Sequence, residues 1–394
     1  MKNRWTYVFL GILIMMCFGT VYSWSVFRIH VELEFSLTSA QSGMPYMTSL
    51  AFYSAFMCLT GKYLDKYNPK KILILGSMLV SIGWMLSYFA NNIYVLTLTY
   101  GVIIGSGVGI AYGVPMTTVS KWFPEKKGLA VGLVLVGFGM SPLITAPIAS
   151  LVVAKYGVMT AFLILGIVFG IITLILSLPF RYPSESEATA LVFKSESLVQ
   201  MGLNTKEMTS EKSFKWLYIS FLIGTTIGLK IVGLTGNIGY NLIKLASSDM
   251  AIIISILAVF NGAGRPFFGW FVDKYSVEKA MFLSYIMIIF ASGLMLFANE
   301  GDLIIFIISF SIFWFNLGGW LAIAPSATMK LYGSKHYSQN YGLVFTAYGI
   351  GAVVGVSLSG MLLERFSGYS ALFYLVVALS ITGLVIAKRL KFLS

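Results

Sequence analysis

GKYLDKYNPKK, residues 61–71, is answered later in the chain by GWFVDKYSVEK, residues 269–279. Set side by side, the two stretches share Gly, Asp, Lys, Tyr and the closing Lys. Their separation is about half the chain, and each follows a long apolar segment, so the repeat argues for two structurally equivalent halves. A weaker echo pairs GVPMTTVSK (113–121) with IAPSATMK (323–330).

The segments around these motifs identify the medium. Of 394 residues, 58% are hydrophobic and 11% charged, and the mean hydropathy is +0.85, a composition from which no water-soluble surface can be built. Apolar runs of about 20 residues recur between short polar breaks, each long enough to cross a hydrocarbon core as a helix. The reading predicts an all-α membrane protein with spans near 5–29, 42–60, 72–90, 93–119, 128–153, 157–180, 214–238, 250–270, 280–298, 303–329, 340–362 and 369–387. Lys2 and Arg4 precede the first run as in a secretory signal, but the run continues past Phe27 without a small-residue cleavage pattern, so it reads as a span. The longest polar stretch, 181–213, is rich in Ser, Glu and Lys and has room for a short surface helix. It divides the chain into a six-helix half (1–180), a linker (181–213) and a second six-helix half (214–394).

The net charge of +12 follows from where the cations lie. Of 27 Lys and Arg residues, 21 fall at the termini or in loops on the same side, four on the other side, and two inside spans. This positive-inside bias predicts cytoplasmic termini in the plasma membrane and explains the basicity without a nucleic-acid partner. Cys17 and Cys58 both lie in apolar runs and read as small core residues, with no disulfide framework or metal site implied.

With these residues in view, a family resemblance can be stated. The repeated G-x-x-x-D-K-x-x-x-x-K loop resembles the cytoplasmic loop motif of the major facilitator superfamily, which implies twelve helices in two pseudo-symmetric halves and transport by alternating access. Within that superfamily VYSWSVF (21–27), GIAYGVPMTTVSKWFPEKKGLAVGL (109–133) and NGAGRPFFGW (261–270) resemble the oxalate:formate antiporter family. The last stretch also resembles the eighth helix of monocarboxylate transporters, where an arginine before a proline is implicated in binding the substrate carboxylate. Oxalate-specific members carry lysine in a segment like YTAKG; here FTAYG (345–349) has Tyr348 at that place, which puts oxalate in doubt. Independently of family, Gly61, Asp65, Lys66 and their repeats Gly269, Asp273, Lys274 have the makeup of a gate, because acids at helix ends pair with cations or with a neighbouring helix N-terminus. A solvated charged turn is the plainer reading of either loop alone.

The chemistry centres on Arg265. Counted back from Asp273 it lies about 12 Å inside its helix, and an arginine at membrane depth normally faces a bundle interior or an aqueous cavity. Its counterpart in the first half is Met57, and that of Asn261 is Tyr53, so the architecture itself does not demand a cation there. Asn261, four residues earlier, shares its helix face. A planar fork suits bidentate capture of a carboxylate; snorkelling and an internal structural bond are the competing readings. Lys230 lies near mid-membrane in a Gly-rich helix, suited either to a cavity contact or to a bond with a nearby carbonyl. Tyr22, Tyr112, Trp320 and Tyr348 fall near matching positions of helices expected to face a shared chamber. Such aromatics more commonly pack, but Tyr and Trp can donate to carboxylate oxygens.

These residues predict a carrier for a small organic anion, of monocarboxylate type (lactate, pyruvate or formate), without cofactor and functional as a monomer in the bilayer. No acid or histidine falls at mid-membrane, since Glu34 and Asp249 lie near the outer surface, so exchange is favoured over proton coupling. The alternatives are a carrier of a sugar, drug or nucleoside in which Arg265 is structural, and a membrane receptor or enzyme. Against an enzyme, no His-Glu metal spacing, Ser/His/Asp set or phosphate loop is seen.

Overall fold

The structure is a computed structural model that describes residues 4–64, 66–184, 186–187, 202–333, 335–366 and 368–391. Its long helices are α1 (Trp5–Phe35), α2 (Met44–Thr60), α3 (Pro69–Ser87), α4 (Ile93–Trp122), α5 (Leu129–Tyr156), α6 (Val158–Ser177), α7 (Lys212–Asn241), α8 (Ser247–Lys274), α9 (Val277–Leu296), α10 (Leu303–Tyr332), α11 (Tyr337–Arg365) and α12 (Ser370–Lys391). Eleven of these are long and apolar enough to cross a membrane. The twelfth, α2, has 17 residues, about 25 Å of helix. Large apolar side chains such as Leu151, Ile175, Phe290, Ile304 and Met361 point outward from the bundle, as they must where the surrounding medium is hydrocarbon.

The expected spans and the helices correspond one to one, with instructive differences at their ends. The expected first span ends at 29, whereas α1 carries His30, Glu32 and Glu34 on to Phe35. Inside α1, Gly19–Ser23 tightens into a 3₁₀ stretch, and the Thr20 hydroxyl donates to the Cys17 carbonyl at 2.9 Å. This irregular turn carries Tyr22. In α4, Thr97–Ile104 is π-helical, an irregularity with no signature in its composition.

The internal repeat is visible in atomic detail. Pro115 in α4 and Pro325 in α10 occupy corresponding positions; three residues after each, Thr118 donates to Val114 O and Thr328 to Ala324 O, both at 2.8 Å. Between 181 and 213 the described residues include a short helix, Thr205–Ser210, capped by Asn204 and bonded to Asn340 of α11 through Thr205 at 3.0 Å. Arg181 meets Glu187 in a two-pronged pair that holds the Glu187 carboxyl well below the usual carboxylate range.

The first six helices meet the last six along three seams. In the α2 and α11 seam Ser54 Oγ donates to Phe345 O at 2.8 Å, and a Cβ on Gly349 would stand 2.6 Å from that of Ser54. In the α1 and α7 seam a Cβ on Gly236 would lie 2.7 Å from Ser25 O. In the α5 and α8 seam a Cβ on Gly139 would lie 2.8 Å from Arg265 Nε. Small residues permit these close approaches, which supply the van der Waals contact that holds helices together where water exerts no squeeze.

Candidate functional site

Where the three seams converge, the chain places aromatic rings. Tyr22 of α1, Tyr53 of α2, Tyr112 of α4 and Phe138 of α5 meet Phe345 and Tyr348 of α11, with ring centres 4.7 to 6.1 Å apart for the pairs Phe345–Tyr348, Tyr53–Tyr112, Tyr53–Phe345, Tyr22–Phe138 and Tyr112–Phe345. The Tyr22 and Tyr348 hydroxyls hydrogen-bond to each other at 2.7 Å, joining the first helix to the eleventh. Sequence grouped Tyr22, Tyr112 and Tyr348, and the fold brings them together. It does not bring Trp320 with them. That indole packs within the last six helices, over Gly224 of α7 and against Phe221 and Tyr285, because glycine at 224 leaves a slot of its size.

Arg265 borders this cluster, 3% exposed, on the face of α8 that meets α5. Sequence expected its guanidinium to be solvated in a shared chamber; instead it is packed dry against protein. Its Nη1 donates to the Leu135 carbonyl of α5 at 2.7 Å and its Nη2 reaches Asn261 Oδ1 at 3.5 Å, while Nε has no partner. Asn261 is held in turn by its amide nitrogen, which donates to Trp314 O at 3.1 Å. The shared face expected for Asn261 and Arg265 is therefore real, and snorkelling is excluded, since the head group points across the seam. Gly139 is the reason the arginine fits: any side chain there would occupy the volume of Asn261 Oδ1 and Arg265 Nε.

Lys230 is 1% exposed and its Nζ has no partner. The bond to a backbone carbonyl that its glycine-rich surroundings suggested is not formed. Its Cβ faces Gly355 of α11, seven residues beyond Tyr348.

Three cations are buried among the described residues: Arg28, Lys230 and Arg265. Arg28 alone has a carboxylate partner, Glu32, at 3.3 Å. An isolated buried charge is expensive and is normally paired. Arg265 and Lys230 are thus cations lacking an internal anion, on two helices of the second half that border the first.

Arg28 belongs to a polar lock that has no counterpart in the sequence analysis, where the first span ends one residue beyond it. Its Nη1 donates to Gly233 O of α7 at 2.9 Å and its Nε to Ser42 Oγ at 2.9 Å. Glu32 accepts from the Asn237 amide of α7 at 3.1 and 3.2 Å and from Ser42. The available signal was the Arg28 and Glu32 spacing of four inside WSVFRIHVELEF, a helical ion pair.

The repeated loops differ in their surroundings. A Cβ on Gly61 would lie 3.0 Å from Ser338 O of α11, whereas Gly269 has nothing within 4 Å. Asp273 pairs with Lys330 of α10 at 3.3 Å, both exposed, so this acid bridges two helices of the second half and not the two halves. Lys66 is exposed, and Lys274 lies over the Trp270 ring at 4.9 Å. Asp65 lies outside the described residues.

Twelve helices meeting at three seams, with unneutralised cations bordering the centre, define a multi-pass membrane carrier. The chain belongs to the Major Facilitator Superfamily, whose sequence profile matches residues 8–329 and 231–394. It is 30% identical to the oxalate:formate antiporter of Oxalobacter formigenes over 98% of this chain and 91% of that protein. Monocarboxylate transporter 12 of Xenopus laevis is 26% identical, over 89% of this chain and 80% of its own. Among solved structures, the nucleoside transporter NupG superposes with a TM-score of 0.73 over 98% of this chain and 99% of its own, at 14% identity, a likeness of fold. The protein is a transporter, as are the family and the relatives it matches here.

Proposed function

We propose that the protein carries small organic carboxylates, most readily monocarboxylates of the formate, lactate and pyruvate type, by alternating access with anion exchange preferred. The observation that carries this reading is Arg265: a dry guanidinium bordering the centre, bonded only to neutral oxygens, with one N–H unsatisfied. A carboxylate entering this seam can replace Leu135 O at Nη1 and take Nη2 with its other oxygen, converting one neutral bond into a two-pronged ionic one. Asn261 keeps the fork in register. Tyr22 and Tyr348, whose hydroxyls bond to each other, turn their donors to the second carboxylate face, and Tyr112 closes the wall. Trp320 supports the cluster from behind.

With Tyr348 in place of the lysine of oxalate-specific relatives, one fork serves one carboxylate, which favours monocarboxylates over oxalate. The similarity to an oxalate:formate antiporter and to a monocarboxylate transporter supports the class. The units that rock are residues 1–180 and 214–394, linked by 181–213, within one monomer in the plasma membrane, termini in the cytoplasm. Gly61, Asp65 and Lys66, with Gly269, Asp273 and Lys274, would act at the cytoplasmic gate. An Arg265 closed against a carbonyl alone keeps its charge unneutralised, whereas a bound carboxylate neutralises it; exchange should therefore outpace net flux.

The test is counterflow in proteoliposomes with labelled formate, lactate, pyruvate and oxalate. Arg265→Ala is expected to abolish uptake while the protein stays monodisperse. Unchanged uptake would leave Arg265 a structural residue and favour a different solute.

A further inference from the structure

Lys230 and Arg265 lie at different depths in the bundle. On α7, Lys230 lies eighteen residues from Lys212, about 27 Å along the helix from the side that bears the termini. On α8, Arg265 lies nine residues from Lys274, about 14 Å from that same side. The α11 contacts give the same order independently: Lys230 faces Gly355, two turns or about 10 Å beyond Tyr348 on one helix face. On its other side Lys230 is one turn from Gly233, whose carbonyl receives Arg28. Passing inward from the side opposite the termini, the sequence of groups is the Arg28 and Glu32 lock, Lys230, the Tyr22 and Tyr348 pair, then Arg265.

We propose that Lys230 is a second anion station, distinct from Arg265 and separated from it by the tyrosine pair, which receives a small monovalent anion entering from the Arg28 side. This inference rests on the carboxylate reading above and adds where the anion stops first. The ammonium is buried, lacks any partner, and no carboxylate among the described residues neutralises it. It is a compact point charge, suited to attract an anion without orienting it, whereas the Arg265 fork fixes orientation. Opening on the far side must break the Arg28 bond to Gly233, one turn from Lys230 on the same face, so the movement that admits an anion also uncovers this charge. When that side is closed and the opposite side open, the tyrosine pair shields Lys230 from an anion arriving at Arg265. Lys230 therefore acts on binding from one face only.

The experiment measures initial rates of labelled formate, lactate and pyruvate entering from each face, in intact cells and in inverted membrane vesicles. For Lys230→Met, KM from the Arg28 face is expected to rise at least tenfold, KM from the opposite face to change less than twofold, and the ratio of maximal rates to shift in compensation. Lys230→Arg, which retains the charge, should restore the lower KM, and gel filtration of both variants establishes that they fold. Equal KM shifts from both faces, or none from either, would overturn the second station. The carboxylate reading is tested separately by Arg265→Ala, which should abolish flux from both faces. If that variant still transports, the substrate class falls whatever Lys230 does.

Discussion

Removing Arg28 should open the far side of the carrier, and the structure sets the size of the effect. The Arg28 guanidinium links the first half to the second through its bond to Gly233 O at 2.9 Å, while its contacts with Glu32 and Ser42 stay on its own side of the seam. A hydrogen bond from a charged donor contributes about 1.5–3 kcal/mol net. At 1.4 kcal/mol per factor of ten, Arg28→Met should lower the ratio of closed to open forms on that side about 10- to 150-fold. Glu32 would retain Asn237 and Ser42, so the lock loosens without leaving its carboxylate bare. The reporter is Ser25→Cys in a Cys17→Ser, Cys58→Ser background. Ser25 is buried one turn behind Arg28 against Gly236, and its hydroxyl has no hydrogen-bond partner, so the reporter substitution costs little. A membrane-impermeant maleimide added on the Arg28 side should label this cysteine at least tenfold faster when Arg28 is methionine than when it is arginine. Equal rates would mean that the Arg28 bond does not hold the seam, and the lock would be only a packing contact.

Other outcomes follow from the same packing. Gly139→Ala puts a methyl 2.6 Å from Asn261 Oδ1 and 2.8 Å from Arg265 Nε, so counterflow should fall more than tenfold, whereas Gly132→Ala, with nothing within 4 Å, should transport normally. Gly318→Ala drives a methyl into the Asn261 carbonyl where α10 crosses α8, and a backbone that cannot yield should cost roughly 1–3 kcal/mol, read as a lowered Tm in detergent. Tyr348→Lys restores the cation found in oxalate-specific relatives and should raise the ratio of oxalate to formate counterflow at least fivefold; an unchanged ratio would remove Tyr348 from the selectivity argument. Tyr22→Phe deletes the hydroxyl bonded to Tyr348, and a two- to tenfold rise in KM with an unaltered melting curve is expected.

The fold was legible because its determinants are local. Apolar runs of membrane length and a loop repeated at half-chain spacing require no knowledge of which helix touches which, and twelve helices were expected and found. Helix ends were less legible, as α1 shows: its polar end is helical because Glu32, Ser42 and Gly233 satisfy Arg28 from three different segments, while Asn237 satisfies Glu32. Depth along a helix was readable for Arg265 and Lys230 from residue counting alone. Direction across the bundle was not. Trp320 has a plausible position in sequence but turns toward Gly224 and Tyr285, since the slot that takes it is created by a glycine about a hundred residues earlier.

The departure at Arg265 bears most directly on mechanism. An arginine standing in water would gain little from a carboxylate, because the ion pair would have to displace a full hydration shell from both partners. Here the shell has already been removed and replaced by one carbonyl, one long contact to an amide, and an unpartnered Nε. Part of the desolvation cost has been met in folding, so an arriving carboxylate meets a cation whose present partners are uncharged. The carbonyl that must be given up belongs to α5, on the opposite half from Arg265. Exchanging it for an anion severs a bond between the halves at the same moment as the site is filled. On this reasoning occupancy and the freedom of the halves to move are coupled at one nitrogen, Nη1 of Arg265, and no separate relay between site and seam is required.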